Sequence, residues 1–228
     1  MVARQDVFAS QEWLHRLDLQ IPADTAPSDA HAAIDVARGL GVRSVCVTPT
    51  FVNAVRRALP RTCQVATWCS QVAGWPGDSL LLHVGQQLAG RDVDELDIPV
   101  DVSLLGDAAW VSGQLRRVAA VCHAHGALAN VVVIVDGLAS ARLREVVRGV
   151  GRTTVNSVTL VSGQGAMPAG LVAAALDEAA GKMEVRIGPW PCDAADLARM
   201  RDLGVSSVGI TVGQLVALGR SLAARAVA

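Results

Sequence analysis

The chain predicts a closed (β/α)8, or TIM, barrel with a short N-terminal helix, and three observations carry that prediction. Strand-like and helix-like segments alternate eight times over 228 residues. No low-complexity linker or compositional break interrupts them, so one domain over residues 1–228 is expected rather than an open sheet with a second unit. The segment Asn130-Val-Val-Val-Ile-Val-Asp136 is apolar almost throughout, as a strand buried on both faces must be.

In chain order, residues 1–9 are a lead-in and Ser10-Gln-Glu-Trp-Leu-His is a short helix capped by Ser10. Strand 1 follows at 16–21. A loop through Pro22 and Pro27 then places Ser28 as the cap of a helix over 29–40, which Gly41 ends. Strand 2 is read at 44–48, a helix at 52–59, strand 3 at 64–68 and a helix at about 77–89. Strand 4 lies in the acidic stretch 92–101, a helix spans about 107–125 and strand 5 spans 130–136. The last units are a helix at 138–149, strand 6 at 157–161, a helix at 167–180, strand 7 at 183–188, a helix at 193–203, strand 8 at 206–210 and a helix to about 225.

Strand 4 is the unusual one. Leu96, Ile98, Val100 and Val102 alternate with Glu95, Asp97, Pro99 and Asp101, giving one apolar and one acidic face. In a barrel both faces are covered, and uncompensated carboxylates there are costly, so acids that persist mark a site. The alternative is an antiparallel edge strand with its acids in water.

The same parity applied elsewhere leaves Asp18 and Gln20 of strand 1, and Glu184 and Arg186 of strand 7, facing the interior, with Asp136 ending strand 5. Several acids around the single evident cation, Arg186, would hold some carboxylates ionised and raise the pKa of another, which is how a general acid arises beside a general base. A purely structural network around Arg186 is the other reading. Trp68 and Trp75 end or follow strand 3 and Trp190 follows strand 7, so three tryptophans are expected at the mouth as an apolar pocket wall. His31, His83, His123 and His125 fall on helices and His15 before strand 1, away from a barrel mouth, and nothing suggests a zinc site.

A net charge of −1 supplies no footprint for nucleic acid or an anionic membrane surface, and no apolar run is long enough to span a bilayer. The N-terminus lacks a secretory apolar core, and Cys46, Cys63, Cys69, Cys122 and Cys192 lack metal-type spacing, so a cytoplasmic protein with reduced thiols is expected. Lys182 is the only lysine, and arginine cannot perform its amine chemistry.

Several motifs resemble the deoxyribose-phosphate aldolase family. Val45-Cys-Val-Thr-Pro-Thr-Phe-Val is similar to that family's Cys-Val-Asn-Pro-Ser-Tyr-Val, Gln64-Val-Ala-Thr to its Lys-Val-Ala-Thr, and Asp94-Glu-Leu-Asp-Ile to its Asp-Glu-Ile-Asp-Met. Leu17-Asp18 and Ser207-Val-Gly-Ile-Thr-Val-Gly resemble its first and last strands. The resemblance implies Asp97 as the proton-transfer residue and a possible homodimer. It also exposes two departures: Thr159 stands at the Schiff-base lysine position and Arg186 at that of the second lysine. Lys182, at the start of strand 7, keeps an imine mechanism only if the strand register is misread. Pro189 and Trp190 replace paired glycines of the phosphate turn, which implies an unphosphorylated, partly apolar substrate.

The expected catalytic set is therefore Asp97, with Asp18 or Asp101 tuning it and Arg186 stabilising developing negative charge. The expected binding set is Gln20, Cys46, Thr48, Trp68, Trp75, Asp136, Thr159, Trp190 and Thr211. The expected function is lysine-independent acid/base catalysis on a small carbonyl compound without a cofactor: aldol-type carbon–carbon chemistry, cyclisation or isomerisation, in specialised biosynthesis. The alternatives are an inactive binding protein of the same fold and a deoxyribose-phosphate aldolase-type lyase.

Overall fold

The computed structural model describes residues 14–69, 77–100, 102, 108–163, 165, 167–189 and 194–216. Eight parallel strands form a closed barrel in sequence order: β1 Leu17–Gln20, β2 Ser44–Val47, β3 Gln64–Trp68, β4 Glu95–Val100, β5 Leu128–Ile134, β6 Ser157–Val161, β7 Glu184–Ile187 and β8 Ser207–Thr211. Between them run α1 Pro27–Leu40, α2 Val52–Ala58, α3 Gly77–Leu88, α4 Ala108–Ala124, α5 Ser140–Val150, α6 Ala169–Ala179 and α7 Ala194–Leu203, and residues 212–216 are helical after β8. β1 pairs with β8 from Leu17 opposite Val208 to Gln20 opposite Thr211, which removes any sheet edge. An antiparallel edge strand at 95–100 is thereby excluded.

The outer strand faces pack on the helices. On β4, Leu96, Ile98 and Val100 are buried outward, and on β1 Leu17 and Leu19 are fully buried. α5 answers with Leu143, Val146, Val147 and Val150, a stripe at helical spacing on one face. Each such side chain contributes about 1.5–3 kcal/mol when fully buried. No described helix is long and apolar enough to cross a membrane.

Three local readings shift. α1 begins at Pro27, whose missing N–H costs nothing in the first turn, so Ala26 occupies the cap position without a side-chain hydrogen bond and Ser28 lies inside the helix. Gly41 does end that helix, at φ 68°. β5 starts two residues early, because Leu128 and Ala129 continue the register opposite Glu95 and Leu96, and it ends at Ile134. Asp136 therefore sits in the loop beyond the strand. The expected helix at Ser10 and most of the last helix lie outside the described residues.

Gly188 and Gly209 close the wall between β6 and β8. A Cβ on Gly209 would lie 2.6 Å from the Pro189 nitrogen, and one on Gly188 would lie 2.5 Å from Val161 Cγ2. At Gly209 the obstacle is backbone, so only glycine fits; at Gly188 it is a Val161 methyl, which would have to move for any side chain.

Candidate active site

The polar interior has two tiers. In the floor, Arg186 Nη1 donates to both Glu95 oxygens at 2.6 and 2.7 Å, while Nε and Nη2 donate to Glu184 at 2.9 and 2.6 Å. Burial alone would lower the pKa of Arg186, but the carboxylates of Glu95, Asp18 and Glu184 outweigh it and hold the guanidinium charged. A second cation joins this floor. Arg43 Nε and Nη2 donate to Asp18 at 2.7 and 3.2 Å, Nη1 donates to Gln64 at 3.0 Å, and Nη2 lies 3.9 Å from Glu95. Ser44 donates to Asp18 at 2.6 Å and Ser207 also donates to it, so Asp18 is fully engaged across the β1 seam.

Above the floor, toward the C-terminal ends of the strands, sits Asp97. Its Oδ1 accepts from Asn130 Nδ2 at 2.7 Å and its Oδ2 from Cys46 Sγ at 3.3 Å. Asn130 also meets the Thr159 hydroxyl, through Nδ2 at 2.9 Å and Oδ1 at 3.1 Å, and its Oδ1 accepts from Ser157 at 2.9 Å. Asp97, Asn130 and Thr159 thus form one connected line across β4, β5 and β6. Burial first, and the charge of Glu95 second, push the Asp97 carboxyl up to about 7, against the opposing hydrogen bonds from Asn130 and Cys46 and the charge of Arg186. Burial, reinforced by Asp97, raises the Cys46 thiol well above its ordinary value, so it serves as a protonated donor and not as a thiolate nucleophile.

The strand pattern therefore brings Asp97, Cys46 and Thr159 together, and sets Asp18 and Arg186 beneath them. Arg186 does not face the mouth. All three of its nitrogens are engaged with Glu95 and Glu184 and its side chain is 3% exposed, so the expectation that it meets charge on a substrate does not fit this geometry. Gln20 lies on the inner face of β1 in register with Cys46 and Thr211, and Trp68 ends β3 in register with Asp97; both are half-buried. Thr48 follows β2 and hydrogen-bonds Thr50 at 3.1 Å. Thr211 is turned to local use: its hydroxyl and amide pair with Gln214 at 3.0 and 2.8 Å, and the Gln214 amide donates back to the hydroxyl, a reciprocal helix cap. Asp136 bonds Ser162 and the Gly163 amide, each at 2.8 Å. Trp75, Asp101 and Trp190 lie outside the described residues. Lys182 is exposed at the N-terminal end of β7, opposite the mouth.

Two members were missed by sequence reasoning. Asn130 was submerged in an apolar run, yet it shares inward parity with Leu128 and Val132, and a lone amide on that face was the available signal. Arg43 precedes β2 on the outward parity. Its long side chain passes round the strand end into the floor, which parity cannot anticipate.

No family model matches this chain. A curated deoxyribose-phosphate aldolase from Micrococcus luteus is 32% identical over 112 residues, covering 46% of this chain and 48% of the relative. The match thus spans about half the length of that protein. Among solved structures, deoxyribose phosphate aldolase from Aeropyrum pernix, described as a unique tetramer, superposes with a TM-score of 0.78 at 15% identity over 96% of this chain and 98% of its own. An aldolase named QR15 gives a TM-score of 0.78 at 14% identity, over 95% and 97%. The sequence match points to the deoxyribose-phosphate aldolase family. At such low identity the superpositions establish the barrel, and the shorter, more identical match carries the family likeness.

Proposed function

We propose that this protein is an aldolase-type lyase in which Asp97 moves the proton and no lysine forms an imine. The aldolase relatives support the reaction class and favour carbon–carbon cleavage or formation over cyclisation or isomerisation. The observation that carries the proposal is the carboxyl of Asp97, 7% exposed, held by Cys46 and Asn130 and poised at about 7, where a single group can both take and return a proton.

In the cleavage direction, ionised Asp97 takes the proton of a β-hydroxyl group. The carbon–carbon bond breaks to leave an aldehyde, its electrons pass to the neighbouring carbonyl as an enolate, and the proton returns to carbon. The Thr159 hydroxyl, accepting from Asn130 Nδ2, would turn its own O–H to the carbonyl oxygen, while both Asn130 N–H groups stay on Asp97 and Thr159 and hold them in line. Glu95 and Arg186 are positioning residues, since their charges set the titration of Asp97 from below. Gln20, Trp68 and Thr48 would line the approach, with Trp75, Asp101 and Trp190 as further candidates.

The relatives favour a sugar-phosphate substrate; Pro189 and Trp190 in place of the paired glycines of the phosphate turn favour an unphosphorylated carbonyl compound with an apolar part. Turnover of deoxyribose 5-phosphate and of unphosphorylated β-hydroxy carbonyl compounds by the wild type and Asp97→Asn separates these readings. An acid/base lyase loses at least about 100-fold in rate in the variant while still binding its substrate. Undiminished turnover in the variant refutes the role of Asp97. A folded wild type that binds such compounds without turning any over is a binding protein. Assembly as a homo-oligomer is part of the same proposal, on the strength of the tetrameric Aeropyrum pernix structure, and sedimentation tests it.

A further inference from the structure

We propose that Asp136 is a specificity-determining residue: its carboxylate fills, from within the chain, the place at the end of β6 where an anionic group of a ligand would be held, and so restricts the mouth to substrates whose far end is uncharged. The inference rests on the reading above for the location of the mouth, and it names what that mouth rejects.

Anionic groups are held in barrels by backbone amides at strand ends and helix starts. At the end of β6 that donor exists and is taken. The Gly163 amide donates to Asp136 Oδ2 at 2.8 Å, and the Ser162 hydroxyl donates to Oδ1 at 2.8 Å. A Cβ on Gly163 would lie 3.2 Å from that Oδ2, so the glycine makes room for the carboxylate itself. The neighbouring strand ends are closed in the same sense. The Gly188 amide donates to the Leu160 carbonyl at 2.7 Å, Pro189 has no N–H, and the Thr211 amide donates to Gln214 Oε1 at 2.8 Å.

A phosphate arriving here would have to pull Asp136 off at least the Ser162 and Gly163 donors and then share the turn with its charge. The same rim is apolar: Ile134, two residues before Asp136, is 57% exposed, and Phe51, following β2, is 55% exposed. Excluded anion and exposed apolar side chains select the same class, an uncharged carbonyl compound with an alkyl or aryl tail.

The test compares the wild type with Asp136→Ala, which vacates the Gly163 amide, and Asp136→Asn, which removes the charge but keeps an acceptor. Inorganic phosphate and glycerol phosphate are the probes, glycerol is the uncharged control, and binding is read by calorimetry on proteins whose fold is checked by circular dichroism. The alanine variant should bind both phosphates at least tenfold tighter than the wild type, the asparagine variant should gain less, and glycerol affinity should not change. A wild type that binds phosphate as tightly as the alanine variant, or a folded alanine variant that gains nothing, overturns the proposal. Should the alanine variant not fold, asparagine decides, and equality with the wild type is then the overturning result. None of these readings involves Asp97 or turnover, so this inference and the proposed function fail separately.

Discussion

Asp97→Asn has an effect that can be worked out before any substrate is known. In the folded chain Asp97 titrates at about 7 against an ordinary 3.8, because burial and the charge of Glu95 both oppose ionisation. Between those values the folded state holds a proton that the unfolded state has released. Stability therefore falls as pH rises, by up to about 1.4 kcal/mol per pH unit, the contribution being intact below the unfolded value and lost through the folded one. From pH 5 to pH 8 the loss due to Asp97 sums to about 2–3 kcal/mol. Asparagine offers Asn130 the same acceptor and has no proton to lose, so the variant escapes that part of the slope. Urea unfolding of both proteins at the two pH values measures it: the stability difference should move in favour of the variant by about 2–3 kcal/mol. Curves that stay parallel to within about 0.5 kcal/mol would mean that Asp97 is an ordinary carboxylate, and the acid/base reading would lose its central group.

Thr159→Lys places an amine in the line joining Asp97 and Asn130. Borohydride treatment with a small aldehyde should then yield a reduced adduct on the peptide containing residue 159, seen by mass spectrometry and absent from that peptide in the wild type; a folded variant without it would put residue 159 out of substrate reach. Arg186→Met strips Glu95 of its bidentate partner and should cost about 3–5 kcal/mol in urea unfolding, with Glu95→Gln in the same chain recovering most of the loss. A loss below about 1 kcal/mol would mean that the floor does not depend on that pair.

The barrel was legible because its evidence is periodic. β3 and β6 were bounded correctly, and the alternating faces of β1 and β4 sent Asp18, Glu95 and Asp97 inward as parity requires. Parity assigns a face, however, and not a height or a direction. It put Arg186 inside but could not tell that the guanidinium turns down to Glu95 and Glu184 instead of up to the mouth, since that depends on side-chain length and on partners from other strands. Thr211 was placed at a strand end, and only the geometry of Gln214 three residues on reveals that its hydroxyl is consumed by a cap. Asn130 failed for a different reason: the run from 130 to 136 was read as apolar as a whole, and its polar first residue was not assigned a face.

The seam between β1 and β8 has a consequence for how the chain reaches this state. Asp18 gathers Ser44 from the next strand and Ser207 from the last, so its hydrogen bonds can be completed only when the two ends of the barrel meet. Contacts of such sequence separation bring their reward late, after the entropy of closing nearly the whole chain has been lost. The β1–β8 seam is then among the last parts of the ring to form, and amide exchange along Leu17–Gln20 would report on transient opening of the ring rather than on fraying of an end.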